Sequence, residues 1–471
     1  LMSLPALFLF FAIIYFVQGF ASPNAGIASR SIFFVLKDEM GFTVSQTAEF
    51  INLMLFAWYI KPFFGSISDN IPILGYRRKS YLLITTGLSS ATWYVLFSLG
   101  EYRFLPLLTL LMICSLGIAF SDVLCDAVMV ERGQELGKTG KFQSIQWSSY
   151  MVAAVLSGVI GGWLAERRMY KEAFVASAAF LVLTFAAIIA IFRESRVEVT
   201  AEQRAQRIGR LGKTTLALPL VLIGILLYML GDSIGLPLPR AVTAYLPYLI
   251  AMSVMFYAIA VNHPKPIPRA FLFVILFLFL WFFSPSFGTP LNYRMVDELK
   301  FSKEFVGQLD SISSVGSMLG ALVFYVLQGV PIKLGGRISL QLGEVAPKRI
   351  LYGLVPVGVV TTLLYLYFVD ATTAVVITFL GGMVGMISML AALNIAARTC
   401  PKGVEGTIFA AVMALLNISQ TFSSLVGSHL YEYYRLSYAN LVLISAGATA
   451  AILPLIPFLK LTPGLQGRQR R

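Results

Sequence analysis

The sequence predicts an all-α polytopic membrane protein of about 14 spans, and three observations carry that prediction. The chain is 58% hydrophobic and only 13% charged, where a soluble chain of 471 residues would be about 25% charged. Apolar stretches of about 18 residues or more recur from end to end, each long enough to cross a hydrocarbon core of roughly 30 Å. Basic residues then collect in alternate loops between those stretches.

The first span runs from about Pro5 to Leu36, and five more follow at 47–66, 81–99, 104–130, 142–164 and 172–192. No basic region precedes Leu4–Ala21, so this stretch is expected to be a retained span and not a cleaved signal. A polar, basic segment from Arg193 to Lys213 comes next, then two apolar segments at 216–231 and 242–261. The last six spans are placed at 270–290, 305–328, 350–369, 372–395, 406–429 and 438–459. The expected domains are therefore a six-helix bundle over 1–192, a linker with an inserted hairpin over 193–269, and a second bundle with a tail over 270–471.

With the amino terminus inside, roughly 24 Lys and Arg fall on the cytoplasmic side and about 11 outside. Both termini are then cytoplasmic. The net charge of +13 reads as this bias and not as a nucleic-acid footprint. Three cysteines without metal spacing and two histidines argue against a metal site or cofactor. No cluster of catalytic groups points to an enzyme.

The two halves resemble each other. Asp38-Glu39-Met40-x-Phe42-Thr43 recurs as Asp297-Glu298-Leu299-x-Phe301-Ser302, and Arg132, Gly140, Gly161 and Glu166 recur as Arg398, Gly406, Gly427 and Glu432. Matches at constant offsets in equivalent places predict a duplicated six-helix unit. Such a build suits a carrier that rocks one bundle against the other.

Gly65 and Asp69 followed by Arg77-Arg78-Lys79, between the second and third spans, resembles the signature of the major facilitator superfamily. Lys61-Pro62 through Tyr81, Tyr15-Phe16-Val17-Gln18-Gly19, Asp122-x-x-x-Asp126 through Arg132, Pro285-Ser286-Phe287 and Cys400 through Thr407 resemble the folate–biopterin transporter family within it. The resemblance implies the major facilitator fold, with two six-helix bundles plus two central helices. It also implies alternating-access transport of folate or pterin-type organic anions, coupled to protons, by a monomer in the lipid bilayer. Ser22-Pro23-Asn24-Ala25-Gly26, Arg294 and the long Val330–Pro347 loop depart from the family pattern. A different organic solute, or a non-transporting scaffold or receptor on the same fold, stands as the alternative.

Asp122 and Asp126 share one face of the fourth span. Carboxylates inside a membrane cost about 2.5–3.5 kcal/mol to insert, so they face a cavity or a partner. They are the expected proton-coupling pair, against a structural ion pair. Gln18, Asn24 and Arg30 lie in the first span, kinked by Pro23, and are expected to bind substrate, Arg30 through a carboxylate fork. Ser286, Asn292 and Arg294, with Ser284, hold the equivalent places in the second repeat. Lys61, Asp69, Arg77, Arg78, Glu131, Arg132 and Arg398 are expected to gate the inner face.

Overall fold

The computed structural model describes residues 2–136, 138–197, 209, 218–230, 240–262, 269–328, 332–334, 338–340, 345–399 and 405–459. These residues form helices at every predicted span. Eight helices are long and apolar enough to cross a membrane among the described residues, including Leu4–Ala21, Phe104–Gly133 and Lys303–Leu327. The other predicted spans are shorter, broken or richer in hydroxyl side chains. The one sheet described is a three-residue antiparallel pair, β1 (Ile332–Leu334) and β2 (Ile338–Leu340), inside the long loop noted above.

Two compact units emerge. Unit 1 comprises Leu1–Asn262 and Lys300–Ser311, and unit 2 comprises His263–Leu299 and Ile312–Arg471.

In unit 1 the first span is two helices, α1 (Leu4–Ala21) and α2 (Ser29–Phe34). Pro23 lacks an N–H and disfavours helix at the residue before it, and Ser22 is extended. The indole of Trp93 donates to the freed Ala21 carbonyl at 3.1 Å. The second span is likewise broken. Helix α3 (Val44–Met54) starts on a capping box between Thr43 and Gln46, and α4 (Lys61–Asn70) follows a 3-10 turn over Phe56–Tyr59. Helices α5 (Lys79–Ser98), α6 (Phe104–Leu136), α7 (Thr139–Glu166) and α8 (Tyr170–Ile191) follow. The inserted pair contributes α9 (Leu218–Leu230), the short α10 (Arg240–Thr243) and α11 (Leu246–Asn262).

Phe10, Phe11, Phe64, Phe120 and Phe142 form a buried aromatic core among α1, α4, α6 and α7, with Phe64 stacked on Phe120 at 4.8 Å. Lipid supplies no hydrophobic drive between helices, so close fit holds them together. Glycines provide that fit. A Cβ on Gly161 would lie 2.6 Å from the Ile27 carbonyl, at the break in the first span.

Unit 2 repeats the pattern. Its first span divides into α12 (Arg269–Phe282) and α13 (Gly288–Asp297) around Ser284-Pro285-Ser286. Helix α14 (Lys303–Leu327) begins in unit 1 and continues into unit 2. Then come α15 (Pro347–Leu364), α16 (Ala371–Thr399), α17 (Glu405–Glu432) and α18 (Tyr438–Ala450). A Cβ on Gly427 would overlap the Ser286 carbonyl, again at the break.

Candidate functional site

The break in the second span sets the site. Lys61 follows it directly, and its ammonium pairs with the Asp122 carboxylate on α6. Asp122 is 8% exposed. Lys61 also lies 4.7 Å from the centre of the Trp58 ring, a cation–π position. One turn along α6, Asp126 accepts a hydrogen bond from the Tyr15 hydroxyl on α1. Gln18 joins the same cluster. Oriented to satisfy both neighbours, its amide donates to Asp122 Oδ1 at 3.0 Å and accepts from the Asp122 backbone N–H at 3.2 Å. Two carboxylates, one ammonium, one phenol and one amide thus converge deep in unit 1.

A second cluster stands at the loop end of α4. The Arg78 guanidinium, 4% exposed, donates to Ser68 Oγ at 2.5 Å, to Asp69 at 2.6 Å and to Glu131 at 2.8 Å. Burial lowers the pKa of Arg78, but Asp69 and Glu131 outweigh it and raise it above the usual arginine value. The charge is permanent. Glu194 accepts from the backbone N–H groups of Arg77, Arg78 and Lys79 at 3.0, 3.1 and 2.7 Å. A carboxylate there neutralises the positive end of α5.

At the other end of unit 1, Arg30 on α2 holds Asp310 on α14 through two guanidinium nitrogens. Lys303 reaches Asp38 and also donates to the Tyr170 hydroxyl at 2.9 Å. Close backbone packing accompanies these ion pairs. A Cβ on Gly162 would sit 2.8 Å from the Gly307 Cα.

In unit 2, Arg294 pairs with Glu298 at 3.0 Å and lies over the Tyr438 ring at 4.4 Å. Both arginine and tyrosine line an open cavity of about 570 Å³, together with Tyr431 and Arg435. Ser286 accepts from the Gly288 N–H at 3.1 Å, and Ser284 bonds the Ser445 carbonyl at 2.9 Å.

The chain matches the model of the BT1 family over residues 18–466. It belongs to the BT1 family. A folate-biopterin transporter of Synechocystis is 27% identical to this BT1 protein over 460 residues, covering 96% of this chain and 80% of the relative. Probable folate-biopterin transporter 4 of Arabidopsis thaliana is 25% identical, covering 93% and 89%. Folate transporter 1 of Plasmodium falciparum is 20% identical, covering 88% and 71%. Among solved structures, a POT family transporter in complex with 5-aminolevulinic acid superposes with TM-score 0.72 at 12% identity, covering 96% of each chain. The nucleoside transporter NupG superposes with TM-score 0.59 at 12% identity, covering 96% and 100%. These BT1 relatives are transporters and not enzymes, and the fold is that of a multi-pass carrier.

Within this BT1 chain the expected site residues distribute unevenly. Gln18, Asp122 and Asp126 meet, as their polarity inside apolar helices suggests. Lys61, expected with Asp69 and Arg77 at the inner face, stands instead beside Asp122. Arg78, not Arg77, is the side chain that joins Asp69 to Glu131. Arg132 pairs locally with Glu135. Arg30 holds a carboxylate, but that of Asp310. Asn24 is exposed at the break and accepts from Ser22 at 2.5 Å. Asn292 lies on α13 of unit 2, two residues before Arg294. The Arg398 side chain and the Cys400–Val404 stretch lie outside the described residues. Sequence reasoning passed over Tyr15, Trp58 and Asp310 as site residues. Asp310 could have been found, since a carboxylate seven residues into an apolar helix is a signal in itself.

Proposed function

We propose that this BT1 protein is a secondary active transporter of folate or pterin-type organic anions, working by alternating access and coupled to protons. The arrangement that carries the reading is the buried Asp122–Asp126 pair with Lys61 as the one cation paired to it among the described residues. Two ionised carboxylates against one ammonium leave an uncompensated charge in a low-dielectric interior, which is costly. A proton removes that charge. An incoming organic anion competes with the carboxylates for Lys61, so proton and substrate occupancy favour each other. Tyr15 and Gln18, from the broken first span, supply the adjacent polar contacts.

The gates follow from the same reading. Arg78, Asp69 and Glu131 close the inner end, where the basic loops are cytoplasmic and both termini lie. Arg30–Asp310 and Lys303–Asp38 close the outer end and must part for outward opening. The first bundle over 1–192 and the second over 270–471 are the rocking bodies, in a monomer embedded in lipid.

The first experiment is thermal stabilisation of the purified protein by folate, folinate, biopterin, nucleobases and amino acids. A ligand that binds the folded state raises apparent stability by mass action, by about 2.7 kcal/mol at one hundred times Kd. Selective stabilisation by pterins is the expected result. Stabilisation by another anion alone would keep the carrier and discard this substrate.

A further inference from the structure

The geometry points to a role for the inserted hairpin: α9 and α11 splint the broken second span, and Tyr228 and Tyr248 are positioning residues for Lys61.

The break in that span is a weak point. A helix continued through Pro62 would press its ring on the Trp58 carbonyl four residues back, so the chain tightens into a 3-10 turn upstream. The turn frees the Asn52 carbonyl from its helical partner, and the Tyr59 hydroxyl donates to it at 3.2 Å. Two short helices joined by such a turn have a hinge between them, and Lys61 is the first residue beyond it.

The hairpin grips both sides of the hinge. Before it, the Tyr228 hydroxyl on α9 donates to Glu49 Oε2 on α3 at 2.8 Å, and Glu49 is 2% exposed. Within it, the fully buried Tyr248 on α11 meets Tyr59 edge to face at 5.6 Å and approaches Phe56 at 6.1 Å. The hairpin is itself tightly joined, since a Cβ on Gly224 of α9 would lie 3.2 Å from the Pro247 Cα. A carboxylate buried beside lipid is expensive, so a phenol brought to it from an inserted element is a specific contact. Held at Glu49 and at Tyr59, the hinge has one angle, and that angle sets where the Lys61 ammonium meets Asp122.

This inference rests on the reading of Lys61 and Asp122 as the transport site, but its test needs no substrate. The measurement is the rate at which a small amine-acylating reagent modifies Lys61 in the purified full chain, read by peptide mass spectrometry, with Lys171 as an internal reference. Tyr248→Ala is expected to raise the Lys61 rate about two- to tenfold, the range that one edge-to-face ring pair holds, with Lys171 unchanged. Tyr248→Phe keeps the ring and is expected to restore the original rate. Tyr228→Phe, which loses only the hydroxyl, is expected to fall between them. Should Tyr248→Ala not be recovered folded, Tyr248→Leu carries the same comparison. An unchanged Lys61 rate in the truncated variant overturns the inference, as does an equal rise at Lys171. Failure of every pterin to bind would overturn the substrate reading and leave this one standing.

Discussion

Lys61 has one carboxylate in contact and a second on the same helix face a turn away, and that imbalance defines what each substitution should do. Asp122→Asn removes the carboxylate that meets the ammonium while keeping its shape. It is expected to abolish proton-driven accumulation and leave counterflow exchange, measured in proteoliposomes with and without a pH gradient. Loss of neither would remove the proton assignment. Lys61→Met leaves Asp122 buried and unpaired, and breaking a buried pair from one side costs about 3–5 kcal/mol. The double replacement Lys61→Met with Asp122→Leu is expected to recover most of that stability in a denaturation assay while transport stays absent. Recovery of transport would show that the charges serve only the fold. Gln18, Asp122 and Asp126 were legible in the sequence because a polar group inside an apolar run needs a reason. Tyr15 was not, because its ring reads as core and its partner lies 111 residues away.

Helix breaks are where the elements carry function. Pro23 and Pro285 divide the first span of each half, and Pro62 divides the second. Each is visible as a proline, yet the reading of a continuous helix over 47–66 grouped Lys61 with Asp69 and Arg77, and its partner in the structure is Asp122. The missing step was the ring clash one turn upstream, which moves the break to Leu55–Ile60 and turns Lys61 inward. Glycines seat these breaks. Gly161→Ala and Gly427→Ala each force a methyl onto a backbone carbonyl, and overpacking of this kind costs about 1–3 kcal/mol. Gly447→Ala, on α18 with open space around it, is the control and should hold or raise the melting temperature. Equal losses in all three would mean that detergent, not packing, sets the transition.

Across the whole molecule the duplication has a structural signature. Gly427 follows Gly161 at the offset that relates Arg398 to Arg132, and Ser286 follows Ile27 at the offset that relates Asp297 to Asp38. Each glycine lies against its own partner's carbonyl, so one contact has been built twice. The fold class and the repeat were readable because periodicity, hydropathy and spacing are properties of one chain. The pairing of Arg30 with Asp310 was not, since 280 residues separate them and nothing local marks the match. The buried ammonium has one more consequence, and it concerns biogenesis. Lys61 leaves the ribosome 61 residues before the carboxylate that neutralises it. At roughly 5–20 residues per second that interval is about 3–12 s. For that time the second span is short, broken and charged, a poor candidate for release into lipid by itself. It should linger at the translocon until the fourth span arrives, and in ribosome-arrested chains truncated before Asp122 a crosslinker placed in the second span should still capture the translocon, a crosslink lost once Asp122 has emerged.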